Sequence, residues 1–250
     1  MIKTAINGIN GKMGRVLSEA VLSDSDMKLV CGFDAYGENN IVRTYKTFDE
    51  CDKEIDVIID FSHPATFKGL MSFVKERKIP VVVATTGLSE EDIKLLQEVS
   101  KEVAVFRSAN MSLGVNLLID LVKKAAEVLY GNFDIEIIEK HHNQKIDAPS
   151  GTALMIADEL SEVINDNITY NYDRHSQRKK RDKQEIGIHA VRGGTIVGEH
   201  DVIFAGKDEV ITVSHSAMSK EIFATGSIRA AKFIYNKTPG LYSMKDVMGE

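Results

Sequence analysis

Two cysteines, Cys31 and Cys51, are all that 250 residues contain, which excludes a fold stapled by disulfides. No metal-ligand spacing surrounds either one, so both read as reduced thiols and no metal site is expected. Long apolar runs are missing as well. No stretch approaches the roughly 18 residues that a membrane-spanning helix needs. The first residues lack a signal peptide's apolar stretch and small-residue cleavage site and read instead as a strand, so the expectation is a cytoplasmic chain with no membrane partner. There is no internal repeat and no low-complexity linker. Nor is there an excess of positive charge: the formal net charge is -6, which opposes a nucleic-acid surface. One basic run, Arg174, Arg178, Lys179, Lys180, Arg181 and Lys183, stands against that background. It reads as a solvated loop, with attraction of an anionic ligand as the sharper alternative.

What the chain does have is 43% hydrophobic and 27% charged residues, an ordinary globular composition with material for one large core or two modest ones. Over the first hundred residues, short runs rich in Val and Ile alternate with amphipathic stretches, the pattern of βαβ units. This predicts strands at 2–7, 27–34, 57–61, 81–84 and 103–106, with helices at 13–22, 64–77 and 89–101. Pro64 suits a first helical turn, and Ser89 can cap the helix that follows it. After Phe106 the texture changes to a long helical run over 114–129, then strands at 133–140, 185–192, 196–204 and 209–216, with 165–183 read as loop. The expected fold is therefore α/β: a doubly wound, Rossmann-type dinucleotide-binding domain over 1–107, and a smaller α+β domain with a mixed sheet over 108–217. The second domain is expected to bind substrate and carry the oligomer contacts; helix is expected again from about Lys220 to Tyr235, in a C-terminal helical segment, 218–250, that returns to the first domain.

Gly8-Ile9-Asn10-Gly11-Lys12-Met13-Gly14 follows a predicted strand and opens a predicted helix, the context in which glycines let backbone amides approach a pyrophosphate. The spacing is G-x-x-G-x-x-G rather than G-x-G-x-x-G, so a plain tight turn is the alternative. Asp34, at the end of the second strand, is placed to accept hydrogen bonds from adenosine ribose hydroxyls. Ala35 beside it supplies no cation for a 2′-phosphate, which the carboxylate would repel, so the sequence leans toward NADH over NADPH. Tyr36, Arg43 or Lys46 remain possible contacts. Two more loops end predicted strands on the cofactor side, Ala84-Thr85-Thr86-Gly87 and Arg107-Ser108-Ala109-Asn110-Met111-Ser112, and both offer hydroxyls and backbone amides.

The densest chemistry lies between Glu139 and Thr152. His141 can donate or accept a proton near neutral pH, and Lys145 sets a cation or proton donor four residues on. Pro149-Ser150-Gly151-Thr152 then opens a helix whose first amides and hydroxyls suit a carboxylate. Paired histidines are usually incidental and Ser-Gly-Thr is an acceptable helix start by itself, but their conjunction within a dozen residues points to a site.

Gly-Ile-Asn-Gly-Lys-Met-Gly-Arg at 8–15, Ala-Thr-Thr-Gly at 84–87, Ser-Ala-Asn-Met-Ser at 108–112, Glu-Lys-His-His-Asn-Gln-Lys-Ile-Asp-Ala-Pro-Ser-Gly-Thr-Ala at 139–153 and Val-Arg-Gly-Gly at 191–194 resemble the motifs of the dihydrodipicolinate reductase family. The resemblance covers nearly the whole chain, and 139–153 is its most specific part. It implies reduction of the cyclic dicarboxylate (2S,4S)-4-hydroxy-2,3,4,5-tetrahydrodipicolinate, with loss of water, on the diaminopimelate and lysine route, by a homotetramer that uses NADH or NADPH. Carried over by motif position, His141 is the proton donor or acceptor and Lys145 the proton donor, while His142, Gly151 and Thr152 bind substrate. Cofactor contacts fall on Gly8, Ile9, Asn10, Gly11, Lys12, Met13, Asp34, Ala84, Thr85, Thr86, Ser108, Ala109, Asn110 and Met111. Ala35 departs from relatives with arginine at that place, which puts NADP selectivity in doubt. Ala84 replaces a common glycine and leaves the backbone contacts in place. Another two-domain nicotinamide oxidoreductase would need no His-His-x-x-Lys motif, and a non-catalytic dinucleotide sensor would need neither His141 nor Lys145.

Overall fold

The computed structural model describes residues 1–37 and 40–249; residue 250, the end of the segment expected to return to the first domain, lies outside them. In chain order the elements are β1 (Ile2–Asn7), α1 (Lys12–Leu22), β2 (Met27–Phe33), β3 (Thr44–Tyr45), β4 (Val57–Asp60), a 3-10 turn (Pro64–Thr66), α2 (Phe67–Arg77), β5 (Val81–Val83), α3 (Glu90–Ser100), β6 (Ala104–Arg107), α4 (Leu113–Leu129), β7 (Asp134–His141), α5 (Gly151–Ile164), β8 (Thr169–Asn171), β9 (Glu185–Arg192), β10 (Gly198–Ala205), β11 (Val210–Ala217), α6 (Glu221–Ile234), β12 (Gly240–Tyr242) and α7 (Met244–Met248).

These elements form two compact units. The first takes in Met1–Leu113 and the chain from Lys220 onward. Its seven strands run parallel in the order β12-β6-β5-β4-β1-β2-β3. Apolar cores cover both faces of the sheet. Leu17 and Val21 of α1 join Ala230, Ala231 and Ile234 of α6 on one side, and Phe67, Leu70 and Val74 of α2 join Leu96 and Val99 of α3 on the other. This is a doubly wound Rossmann-type domain, and burial on both faces explains the unbroken Val57-Ile58-Ile59 and Val81-Val82-Val83 runs. Ser89 caps α3 in a capping box with Asp92, and Pro64 opens the 3-10 turn that leads into α2.

The second unit, Gly114–Ser219, carries a five-stranded sheet in the order β11-β10-β7-β9-β8. β10 pairs antiparallel with β11 and β7, whereas β7, β9 and β8 run parallel, so the sheet is mixed. Amphipathic helices α4 and α5 supply Val115, Leu118, Val122, Ile156 and Leu160 to a core built on Ile135, Ile137, Ile188, Val202 and Phe204.

Three short strands depart from the sequence reading. β3 and β8 lie in stretches without clean alternation, and β8 interrupts the predicted loop over 165–183. Beyond residue 218 the chain is not one helix: α6 is followed by β12, which pairs with β6 at the sheet edge. These three are too short and too mixed in composition to show a strand signal of their own and are specified by the strands beside them, unlike the equally short β5, whose all-valine run is legible. The basic run is not simply solvated either. Arg174 pairs with Glu136 and Glu185, Arg181 with Asp134 and Glu136, and Lys179 with Asp182, which ties the run to β7 and β9.

Candidate active site

In the first unit the glycine loop sits at the C-terminal end of β1. Gly8 adopts φ +80°, and a Cβ there would lie 2.5 Å from the Phe61 carbonyl oxygen, so both conformation and space require glycine. Gly11 stands at the N-cap of α1 without a side-chain cap, which leaves the first-turn amides to a ligand. A Cβ on Gly14 would overlap the carbonyl oxygens of Gly8 and Ile9, so this third glycine lets α1 pack against its own loop. Turn, approach and packing, the three jobs of a dinucleotide fingerprint, are thus divided among Gly8, Gly11 and Gly14 despite the altered spacing. The cradle fits a dinucleotide pyrophosphate.

Asp34 follows β2. Its carboxylate accepts from the Asn10 amide and the Tyr36 amide, both at 3.0 Å, and Asn10 donates from Nδ2 to the Gly37 carbonyl. Asp34, Ala35, Tyr36 and Lys46 line one cleft together with Gly8 and Ser62. Arg43 is paired with Asp52 and stacked on Tyr45. Lys12 is exposed and Met13 half-buried at the start of α1, whereas Ile9 and Met111 have side chains buried in the core, so only their backbone can serve a ligand. Thr85 is buried and accepts from the Ser62 amide, while Ala84 is half-buried and Thr86 exposed. Ser108 donates to the Asn110 carbonyl, Asn110 accepts from the Ser112 amide, and Ala109 is exposed.

Asp60, which sequence reading did not single out, organises these strand ends. Fully buried, it accepts from Asn7 Nδ2 at 2.8 Å and Ser62 Oγ at 2.6 Å, and so joins β1 to β4 and, through Ser62, to the Thr85 loop. Burial pushes its carboxyl above the usual range, against the hydrogen bonds from Ser62, Thr85 and Asn7 that pull it down. The signal available in sequence was a carboxylate ending an otherwise apolar strand.

In the second unit the site grows from β7. Alternate residues Ile135, Ile137, Glu139 and His141 point to the buried face; the first two enter the core and the last two replace it with ionisable groups. Glu139 is fully buried and saturated. Arg192 grips it through two 2.7 Å bonds, the Ser150 amide donates at 2.9 Å, and His141 Nδ1 lies 2.6 Å away. Burial raises the Glu139 carboxyl, but the bonds from Arg192, His141 and Ser150 outweigh it and hold the group below the usual carboxylate range. The parallel register sets Arg192 opposite His141, and Arg192 also donates to the Asp147 carbonyl. Glu139 and Arg192 both stand inside sequence motifs, at 139–153 and 191–194, but nothing in the local sequence signals that they pair.

Lys145 turns back over a His142–Lys145 backbone bond and pairs with Asp147 at 2.8 Å. His142 is half-buried, and among the described residues its Nδ1 has no hydrogen-bond partner. Ser150 caps α5 by accepting from the Ala153 amide; Gly151 is exposed and Thr152 half-buried in the first turn. His200 lies 3.1 Å from Ser150 Oγ and meets the His141 ring edge-on at 5.3 Å. Burial, seconded by the neighbouring His141, pushes His200 down to about 4, so its ring is neutral near pH 7. His141, His142, Lys145, Gly151 and Thr152 therefore share one end of one unit, where imidazoles, a cation and a helix N-terminus are available to an anion.

Family models described as the N-terminus and the C-terminus of dihydrodipicolinate reductase match residues 2–111 and 114–248. A 4-hydroxy-tetrahydrodipicolinate reductase of Caldanaerobacter subterraneus is 54% identical over 99% of this chain and 98% of its own, and one of Clostridium botulinum is 49% identical over 100% and 99%. Among solved structures, a dipicolinate-bound dihydrodipicolinate reductase from Paenisporosarcina sp. TG-14 superposes with a TM-score of 0.83 at 23% identity, covering 97% of each chain. With both of its units matched, this chain belongs to the dihydrodipicolinate reductase family and is an oxidoreductase of the nicotinamide-dependent kind.

Proposed function

We propose that the protein reduces (2S,4S)-4-hydroxy-2,3,4,5-tetrahydrodipicolinate, with loss of water, to 2,3,4,5-tetrahydrodipicolinate in the diaminopimelate and lysine route, in the cytoplasm. The observation that carries this reading is the cluster of His141, Lys145 and the start of α5, set on a saturated buried carboxylate, in a chain with reductases of that name among its relatives. A reduced nicotinamide, when bound, supplies hydride to C4 of the substrate ring. The chain's own residues do the rest. Gly8 to Met13 cradle the pyrophosphate at the start of α1, Asp34 accepts from the adenosine ribose, and the loops Ala84 to Thr86 and Ser108 to Met111 hold the nicotinamide end. Gly151 and Thr152 present the first turn of α5 to one substrate carboxylate, His142 binds beside it, and His141 or Lys145 delivers the proton. NADH is the preferred donor, because the Asp34 carboxylate repels a 2′-phosphate; Lys46, on the same cleft, tempers that preference without reversing it. The working assembly is a homotetramer that uses the outward face of the mixed sheet, where Val191 and Val210 are exposed.

The test is an assay of NADH and NADPH oxidation, run separately, with substrate made freshly from pyruvate and aspartate semialdehyde. Turnover is expected with both, higher kcat/KM with NADH, and a loss of about 10²- to 10³-fold in kcat for His141→Gln with unchanged dinucleotide affinity. No oxidation of either cofactor removes the substrate reading, and an undiminished kcat in His141→Gln removes the role of His141.

A further inference from the structure

Glu139 and Arg192 hold more hydrogen bonds than a structural ion pair at a strand end requires, and together they fix the one carboxylate oxygen that meets the His141 ring. Glu139 Oε2 takes His141 Nδ1 at 2.6 Å and one Arg192 nitrogen; Oε1 takes the other Arg192 nitrogen and the Ser150 amide. A carboxylate so gripped is ionised and accepts only, so the hydrogen on the His141–Glu139 bond belongs to Nδ1. Nε2 is then the atom left for chemistry. Its approach is kept open by the opposing strand, where a Cβ on Gly198 would lie 3.0 Å from Nε2. The other ionisable groups around the ring do not compete for Nδ1: His200 meets it edge-on and is bonded to Ser150, and Lys145 is bonded to Asp147.

We infer that Glu139, clamped by Arg192, is a positioning residue that fixes His141 in the Nδ1–H tautomer and aims Nε2 at the substrate. Arg192 keeps the carboxylate from taking the Nδ1 proton and holds its two oxygens in plane, one toward the ring and one toward the start of α5. The side chain of the Val-Arg-Gly-Gly motif thus acts through Glu139 rather than on substrate. This inference rests on the reading of His141 as the proton donor. With the Nδ1 hydrogen held by Glu139, Nε2 takes a proton from solvent and the carboxylate stabilises the imidazolium so formed. Nε2 then passes that proton to the substrate and returns to the neutral Nδ1–H ring; the test below can fail separately.

Glu139→Gln keeps the shape of the side chain while replacing one acceptor oxygen by an NH2. Arg192 takes the remaining oxygen, and the amide turns its donor to Nδ1, which forces the Nε2–H tautomer. In full-length protein labelled with 15N-histidine and free of dinucleotide, at a pH where the ring is neutral, wild-type His141 should show the Nδ1–H pattern and Glu139→Gln the Nε2–H pattern. A wild-type ring in the Nε2–H form overturns the inference without touching the proposed reaction. In the assay, Glu139→Gln should lower kcat about 10²-fold with NADH affinity within about two-fold of wild type, and the double variant with His141→Gln should be no slower than His141→Gln alone. Losses that multiply in the double variant would mean that Glu139 acts on the fold and not through His141. Should Glu139→Gln fold poorly, Arg192→Lys keeps the charge but loses the two-pronged grip; about a ten-fold loss in kcat that vanishes in the His141→Gln background carries the same meaning, and additivity there also overturns it.

Discussion

At the scale of single residues, the second unit is organised by how buried polar groups are satisfied. Glu139 has no exposed surface and every oxygen engaged, whereas His200 is buried with Ser150 as its hydrogen-bond partner and, among the described residues, none at Nδ1. That difference has a thermodynamic consequence. Burial holds the folded-state value of His200 near 4 against an ordinary 6.5, so the unfolded chain binds the proton first on acidification. Stability contributed by the neutral ring is complete above about pH 6.5, falls as the pH drops through that window, and is lost by about pH 4, a total of about 3 kcal/mol. Urea unfolding at pH 7, 5.5 and 4.5 should therefore show a midpoint that falls steeply in wild type and less steeply in His200→Gln. Equal slopes in the two proteins would contradict the buried neutral ring. Asp60 tells the same lesson in the first unit: one carboxylate at a strand end bonds Asn7, 53 residues away at the end of β1, and through Ser62 is joined to Thr85, 23 residues beyond Ser62.

At the scale of elements, helix positions are set by what glycine permits. A Cβ on Gly226 of α6 would overlap the carbonyl oxygen of Met111, so α6 lies directly on the backbone of the Ser108–Met111 loop. Gly226→Ala should cost about 3 kcal/mol, since backbone cannot yield as a side chain can, and should weaken dinucleotide binding because that loop must shift. Gly151 is the contrast, with nothing within 4 Å of the Cβ position. Gly151→Ala should unfold no earlier than wild type, yet raise KM for the dicarboxylate about ten-fold by covering the first turn of α5. Thermal melts beside steady-state kinetics separate the two; an unchanged KM in Gly151→Ala would take α5 out of substrate binding.

At the scale of the whole molecule, the proposed assembly is the property most open to test. Sedimentation should give four chains for wild type and smaller species for Val210→Lys, which sets a cation on the outward face of the mixed sheet; a wild-type monomer would remove the proposal. Much of the architecture was legible in the sequence. Period-two and period-3.6 patterns are imprinted wherever an element buries one face, and so the long strands of both sheets, helices α1 to α6 and the mixed character of the second sheet could be read without coordinates. The motifs at 8–15 and 139–153 were equally legible as marks of the family to which the chain belongs, because close backbone packing demands glycine and a cluster of titratable side chains at fixed spacing is uncommon. Tertiary structure alone decided the remainder. The edge strands β3, β8 and β12 owe their place to a neighbouring strand, and the basic run owes its ion pairs to carboxylates on β7 and β9. The grip of Arg192 on Glu139 spans 53 residues and exists only because β7 and β9 run parallel in one register, a pairing that hydrogen-bond geometry sets and local sequence does not encode.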